Sequence, residues 1–205
     1  MDNDRISTPL SDHGSVKLSD RVSAQIAEVI SVNGRTFKLF LDRARIDSIV
    51  SELADRINRD YAGKQIVFLI VLKGSIFFSA DLLRKITGDC RVETIRAKSY
   101  GSEMKSSCNV ELDMTCSDVS GKHVIIIEDI VDSGRTLKKV SQKLKEQNPA
   151  SLEIVSFLSK PTERVTDVDV KYVGMEIPNR FVIGYGLDFA ECGRQYPDIY
   201  ALHEE

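Results

Sequence analysis

The chain of 205 residues lacks any apolar run long enough to cross a bilayer. Its longest strongly hydrophobic stretch, I-V-F-L-I-V-L from Ile66 to Leu72, falls far short of the roughly 20 residues a spanning helix needs. It opens M-D-N-D-R-I-S-T-P-L, acidic and polar, where a secretory leader would be basic and then apolar. A soluble, cytoplasmic protein is predicted. Cys90, Cys108, Cys116 and Cys192 show no C-x-x-C spacing, which argues against a zinc knuckle or a dithiol pair and fits unpaired thiols in a reducing compartment. His13, His123 and His203 form no cluster with metal-ligand spacing. There is no long basic run, and the formal charge of -3 gives no general attraction for phosphate backbones, so neither a nucleic-acid nor a membrane partner is expected. No biased tract signals a repeat or low-complexity protein. What is present is an ordinary globular composition, 42% hydrophobic and 29% charged, enough for one domain with a substantial core.

Along the chain, residues 1 to 20 have no sustained period and read as a mobile terminus. Val22 to Ile30 has the spacing of a short amphipathic helix, and Asn33-Gly34 is a turn before the strand-like F-K-L-F-L. From Asp42, a capping residue, Ile46, Ile49, Val50, Leu53 and Ile57 recur at helical spacing up to Gly63. Ile66 to Leu72 is apolar at every position, as in a parallel strand covered on both faces, and is followed by Lys73-Gly74 and a helix running to Asp81–Arg84. Val124 to Ile127, the Ser133-Gly134 turn, a helix over Leu137 to Leu144 and the strand S-L-E-I-V-S-F-L repeat the scheme. Later strands are expected at Tyr172 to Ile177 and Phe181 to Tyr185, around Pro178-Asn179. The fold class is therefore α/β, a twisted, mainly parallel sheet flanked by helices. The polar, serine-rich connection from Tyr100 to Ser120 is long enough to suggest a lid.

One stretch needs a chemical explanation: V-I-I-I-E-D-I-V-D-S-G-R-T-L, Val124 to Leu137. A buried strand wants apolar residues and a helix start wants one capping acid, yet Glu128, Asp129 and Asp132 follow in quick succession. In an open parallel sheet, ligands bind at the carboxyl ends of strands, and a short turn into a helix presents N–H groups to anions. Gly134 permits close backbone approach, and Ser133, Arg135 and Thr136 can donate to a phosphate. The acids would repel a bare phosphate unless they face hydroxyls or Mg2+, so a sugar phosphate suits both halves. Neither a nucleotide P-loop nor a dinucleotide G-x-G-x-x-G occurs at these turns.

E-D-I-V-D-S-G-R-T resembles the phosphoribosyl pyrophosphate signature of type I phosphoribosyltransferases. V-L-K-G-S, R-A-K-S-Y-G-S, F-L-S-K-P and Y-V-G-M-E-I-P-N-R-F-V-I-G-Y-G-L-D are similar, in order, to segments of the hypoxanthine-guanine branch of that family. The likeness runs from about Phe37 to Arg194, which divides the chain into an N-terminal extension, 1–35, partly flexible, and a phosphoribosyltransferase domain, 36–205. It also implies a small hood subdomain built from the terminal segments.

The resemblance implies a set of roles. Glu128 and Asp129 would engage the ribose hydroxyls and nearby Mg2+, and Asp132, Ser133, Gly134, Arg135 and Thr136 would cradle the 5′-phosphate. Lys73 and Gly74, in a loop whose leading peptide bond is often cis in the family, would bind pyrophosphate together with Arg194. Ser99 and Tyr100 would begin a flexible loop, reaching to about Cys116, that closes over it. Lys160 would donate to the 6-oxo group of the purine, Phe181 would stack on the base, Val182 would give backbone contacts and Ile130 would pack on the other face. Asp188 would hold a second Mg2+ through water. Asp132 would be the general base at purine N7, in a reaction that makes IMP or GMP and pyrophosphate from phosphoribosyl pyrophosphate and an oxopurine. A homodimer or homotetramer and a place in purine salvage follow from the same likeness. Three other readings share these residues: a regulator on the same fold, an enzyme for another base, and a nucleotide sensor without turnover.

Overall fold

The computed structural model describes residues 26–99, 110–113 and 118–203. Its main sheet has six strands in the order β5-β4-β3-β6-β7-β8. These are β3 (Ile66–Leu72), β4 (Cys90–Ser99), β5 (Val110–Asp113), β6 (His123–Val131), β7 (Ser151–Ser159) and β8 (Tyr172–Glu176). All neighbours run parallel except β4 with β5. Helices α1 (Arg43–Asp60) and α2 (Ile76–Leu83) cover one face, and α3 (Arg135–Lys145) covers the other.

The unbroken apolar run of β3 is explained by this sandwich, because alternate strand residues point to opposite faces. Phe68 and Ile70 join Ile125 and Ile127 of β6 in the core beneath α1 and α2, whereas Val67, Leu69 and Val71 join Val124 and Ile126 beneath Leu137, Val140 and Leu144 of α3. Each fully buried aliphatic side chain contributes about 1.5–3 kcal/mol, so the two central strands anchor both halves. The α1 periodicity is borne out: Ile46, Ile49, Val50, Leu53 and Ile57 are all buried, and the Asp42 carboxylate accepts from Arg45 N at 2.7 Å as the cap.

A second sheet, in the order β1-β2-β10-β9, is built from both ends of the described chain: β1 (Val29–Val32), β2 (Arg35–Leu41), β9 (Val182–Ile183) and β10 (Ile199–Leu202). Asn33 (φ 48°) and Gly34 (φ 74°) turn the β1–β2 hairpin, a pair of positive φ values that suits a tight two-residue turn. Arg35 is the first residue of β2 and pairs with Val32, so the boundary drawn after it lies within the hairpin. The helix expected over Val22 to Ile30 is corrected at its end: Val29 and Ile30 belong to β1, while residues 22–25 lie outside the described residues. The strand expected over Phe181 to Tyr185 is only Val182–Ile183, since Gly184 (φ 96°), Tyr185 (φ 50°) and Gly186 (φ 100°) turn the backbone out of line. Asp198, buried just before β10, ties this sheet to α1. It accepts from Arg43 N (2.7 Å), Nε (3.1 Å) and Nη2 (2.8 Å), a bidentate guanidinium pairing.

Strand β8 packs directly on α1, and Gly174 is where they meet. A Cβ there would stand 2.6 Å from the Phe157 carbonyl oxygen and 2.7 Å from Ile49 Cγ2. Gly174→Ala should therefore destabilise the fold by about 1–3 kcal/mol, read as a lower urea midpoint at unchanged slope. An unchanged midpoint would contradict this packing.

Candidate active site

Strand order reverses between β3 and β6: β3 leads to β4 on one side, β6 to β7 on the other. The carboxyl ends of two such strands splay apart and leave a crevice. A cavity of about 290 Å³ occupies it, walled by Leu72 at the end of β3 and Gly74 just after it, by Glu128 to Thr136, and by Asp188 and Arg194 from the C-terminal segment. The Leu72–Lys73 peptide bond is cis. Gly74 is required by space: a Cβ there would overlap the Asp129 carboxylate. A Cβ on Gly186 would likewise overlap the Gly74 carbonyl oxygen. The Gly74 backbone is thus packed between the Asp129 carboxylate and the Gly186 backbone.

Glu128 and Asp129 end the apolar half of β6 and are only partly accessible. Asp129 Oδ1 accepts from Ile130 N at 2.7 Å, whereas Glu128 Oε2 is buried with no hydrogen-bond partner among the described residues. Burial, and then the neighbouring Asp129 charge, push the Glu128 carboxyl well above its ordinary range, and burial lifts Asp129 also. Such a pair calls for a cation or hydroxyl donors from outside the chain. Among the described residues no three carboxylates, histidines or cysteines converge on one point, so Asp188 does not join Glu128 and Asp129 in a single cage. Two adjacent carboxylates with an orphaned oxygen fit Mg2+, which keeps several waters and shares its ligands with phosphates.

The turn after β6 carries the anion-binding half. Gly134, in the left-handed region (φ 76°), is the N-cap of α3 and offers no side-chain cap, in contrast to the Asp42 cap of α1. The first N–H groups of a helix have no partner within it, and here Gly134, Arg135 and Thr136 line the cavity. Asp132 and Ser133 line it too.

Lys160 follows β7 as Asp132 follows β6. Its backbone N donates to Val131 O at 2.9 Å, and its buried side chain brings Nζ to 4.0 Å from Asp132 Oδ2. Ile130 and Asp132 line the cavity, whereas Lys160 is not on its wall. Phe181 and Val182 lie outside the cavity wall. The Phe181 ring is 46% exposed, edge-on to Phe189 at 5.7 Å and tilted toward Phe37 at 6.5 Å, so an aromatic face is open to a ligand. Val182 is buried in β9 opposite Ala201.

Asp188 and Arg194 pair at 2.8 Å (Oδ1 to Nη2), and Arg194 Nη1 also donates to Gly186 O at 2.8 Å. Sequence reading missed Glu191, whose Oε2 lies 2.9 Å from Lys73 Nζ and 3.5 Å from Arg194 Nη2. A single carboxylate thus spans both cations expected to bind an anion. Its position between Asp188 and Arg194 was the one hint in the sequence; the turn itself, with Ala190 and Glu191 both at positive φ, was not legible there. Ser99 is the last residue of β4, and Tyr100 lies outside the described residues. Of the connection expected to form a lid, 100–109 and 114–117 lie outside the described residues, and Val110–Asp113 is a strand rather than loop, antiparallel to the end of β4.

Residues 40–190 match the family model described as phosphoribosyl transferase domain. A hypoxanthine-guanine phosphoribosyltransferase of Staphylococcus aureus is 38% identical over 170 residues, spanning 82% of this chain and 94% of that protein. One from Streptococcus pneumoniae is 37% identical with the same coverage. The crystal structure of a hypoxanthine-guanine phosphoribosyltransferase from Bacillus anthracis, with HEPES in its active site, superposes with a TM-score of 0.76 at 38% identity, covering 80% of this chain and 97% of that one.

The Glu128 environment has a measurable consequence. A carboxyl whose folded pKa is raised gives stability that is complete below its unfolded value, near 4.5, and is lost as pH climbs through the folded value. Glu128→Gln cannot ionise and escapes that loss. Without ligand, the Tm of the variant should gain on wild type as pH rises above 4.5, by roughly 3–5 °C for each tenfold difference in proton affinity. A Tm difference independent of pH would refute the assigned electrostatics.

Proposed function

The chain belongs to the phosphoribosyl transferase domain family, and from that premise we propose that it is a purine-salvage enzyme joining hypoxanthine, guanine or both to phosphoribosyl pyrophosphate. IMP or GMP and pyrophosphate are the products. The observation that carries this reading is one cavity lined by a half-buried acidic pair, an uncapped helix start at Gly134 and Asp132, whose carboxylate lies beside the buried cation of Lys160. A sugar phosphate joined to an oxygen-bearing base needs these groups in this order.

In the proposed reaction purine N9 attacks C1 of the ribose, the C1–oxygen bond to pyrophosphate breaks, and its electron pair leaves with pyrophosphate. The positive charge that develops on the sugar ring lies near Glu128 and Asp129, which also accept from the ribose hydroxyls. Ser133 to Thr136 hold the 5′-phosphate through backbone N–H groups and hydroxyls, fixing C1 for in-line attack. Asp132 takes the proton from purine N7. Lys160 donates to the 6-oxo group, which an amino group in the same position could not accept, and this is the source of oxopurine preference. Phe181 stacks on the base, with Ile130 against its other face and Val182 offering backbone contacts. Lys73, Gly74 and Arg194 receive the pyrophosphate, and the loop beginning at Ser99–Tyr100 closes over it. Mg2+ held by Glu128 and Asp129, and a second Mg2+ held through water by Asp188, would neutralise charge on the pyrophosphate group.

No described helix is long and apolar enough to cross a membrane, in keeping with a cytoplasmic salvage role. A homodimer or homotetramer is the assembly we expect, to be read from light scattering after gel filtration.

Two substitutions separate the roles. Asp132→Asn should bind phosphoribosyl pyrophosphate within a few-fold of wild type while kcat drops about 10²–10⁴-fold, and wild-type turnover would remove Asp132 from the chemistry. Lys160→Met should lower kcat/KM for hypoxanthine and guanine on the order of 10–100-fold, an effect absent if Lys160 only balances Asp132.

A further inference from the structure

The Ser133 carbonyl oxygen faces away from the cavity, toward residues 165 and 166 beyond β7. It accepts three hydrogen bonds there: from Val165 N at 3.2 Å, Thr166 N at 3.3 Å and the Thr166 hydroxyl, Oγ1, at 3.1 Å. One carbonyl holding three donors from an adjoining segment is more anchorage than a turn needs, since a carbonyl oxygen has two lone pairs. In a trans peptide the C=O and the following N–H point in opposite directions across a rigid plane. Fixing the Ser133 carbonyl outward therefore aims the Gly134 N–H inward, on the side where Gly134 lines the cavity.

Packing enforces the same orientation. A Cβ at Gly134 would stand 2.8 Å from Thr166 Oγ1 and 3.0 Å from Arg164 Cδ, so the turn is pressed against this segment with no side chain between them. Arg164 holds the segment in shape, with Nη1 donating to Val168 O and Nη2 to Ser159 Oγ, each at 3.0 Å. The segment starts at Lys160, which is buried and lies near Asp132.

We propose that Thr166 is a positioning residue for phosphoryl recognition: through the Ser133 carbonyl, its hydroxyl and backbone N–H orient the Gly134 N–H toward the 5′-phosphate. Thr166 touches no reacting atom. The inference rests on the function proposed above and adds to it a residue from outside the signature turn. Because Lys160 and Thr166 share one short segment, the base-recognition and phosphate-recognition ends of the site are held in register by the same piece of chain.

The test is calorimetric binding of GMP and, separately, of pyrophosphate with Mg2+, to wild type and to Thr166→Val, Thr166→Ala and Thr166→Ser. Loss of the hydroxyl in the first two should raise the Kd for GMP about 3–10-fold, leave the Kd for pyrophosphate unchanged, and be rescued in Thr166→Ser, which keeps the donor. Two hydroxyl-free variants of different size guard against one failing to fold. Wild-type GMP affinity in either folded variant would overturn the proposal, as would equal losses for GMP and pyrophosphate, which mark general distortion. A wild-type protein that binds neither would reject the proposed function itself, and is told apart because it fails before any substitution is made.

Discussion

The site depends on a close approach between backbone and carboxylate at the ends of the two central strands. Asp129 at the end of β6 occupies the space where a side chain on Gly74 would sit, and Gly186 lies so close to the Gly74 carbonyl that it too has room for none. The parallel register of β3 and β6, fixed from Ile66 opposite His123 to Ile70 opposite Ile127, carries both strands to this point together. Their register is set by burial, because slipping one strand by a residue would send its apolar set to the wrong face. Core packing on both sides of the sheet is thus what brings the Lys73–Gly74 loop, the acidic pair and the C-terminal Asp188–Arg194 segment within reach of one ligand.

The acidic pair sits in this geometry at a cost to the protein alone. Two adjacent carboxyls are held where water reaches them poorly, one with an oxygen that no described residue satisfies. Buried polar groups left without partners are uncommon in folded proteins and collect at functional sites. The cations show the complementary arrangement: Lys73 and Arg194, expected to meet an anion, are both met by Glu191. This cavity thus has an acidic floor with an unsatisfied oxygen and a cationic rim covered by an internal carboxylate. That polarity matches a ligand carrying hydroxyls and metal-bridged phosphates.

Much of this could be read from residues alone, for physical reasons particular to each element. Ile66–Leu72 is apolar throughout because both of its faces are covered, and its bounds as a strand coincide with that run. The α1 cap at Asp42 and the turn at Gly134 each use a residue type chosen for one local task. Strands β4 and β10 were not legible: β4 mixes charged residues with an exposed Val92, and β10 is four residues whose partners, Leu41 and Ile183 among them, lie far away in sequence. Within the site, the acidic pair and the turn announced themselves by violating the pattern of a buried strand. Glu191 and Thr166 did not, since an acid in a turn and a threonine in a loop are ordinary residues until folding brings Lys73 and Ser133 to them.

The activity proposed for this cavity is transfer of a phosphoribosyl group to an oxopurine. Its most direct test is the wild-type protein with phosphoribosyl pyrophosphate, Mg2+ and, one at a time, hypoxanthine, guanine, xanthine, adenine and uracil, with nucleotide and pyrophosphate quantified together. Equimolar nucleotide and pyrophosphate are expected with hypoxanthine, guanine or both, and neither with adenine or uracil. Binding of phosphoribosyl pyrophosphate without turnover of any base, or turnover of adenine or uracil in place of the oxopurines, would contradict it.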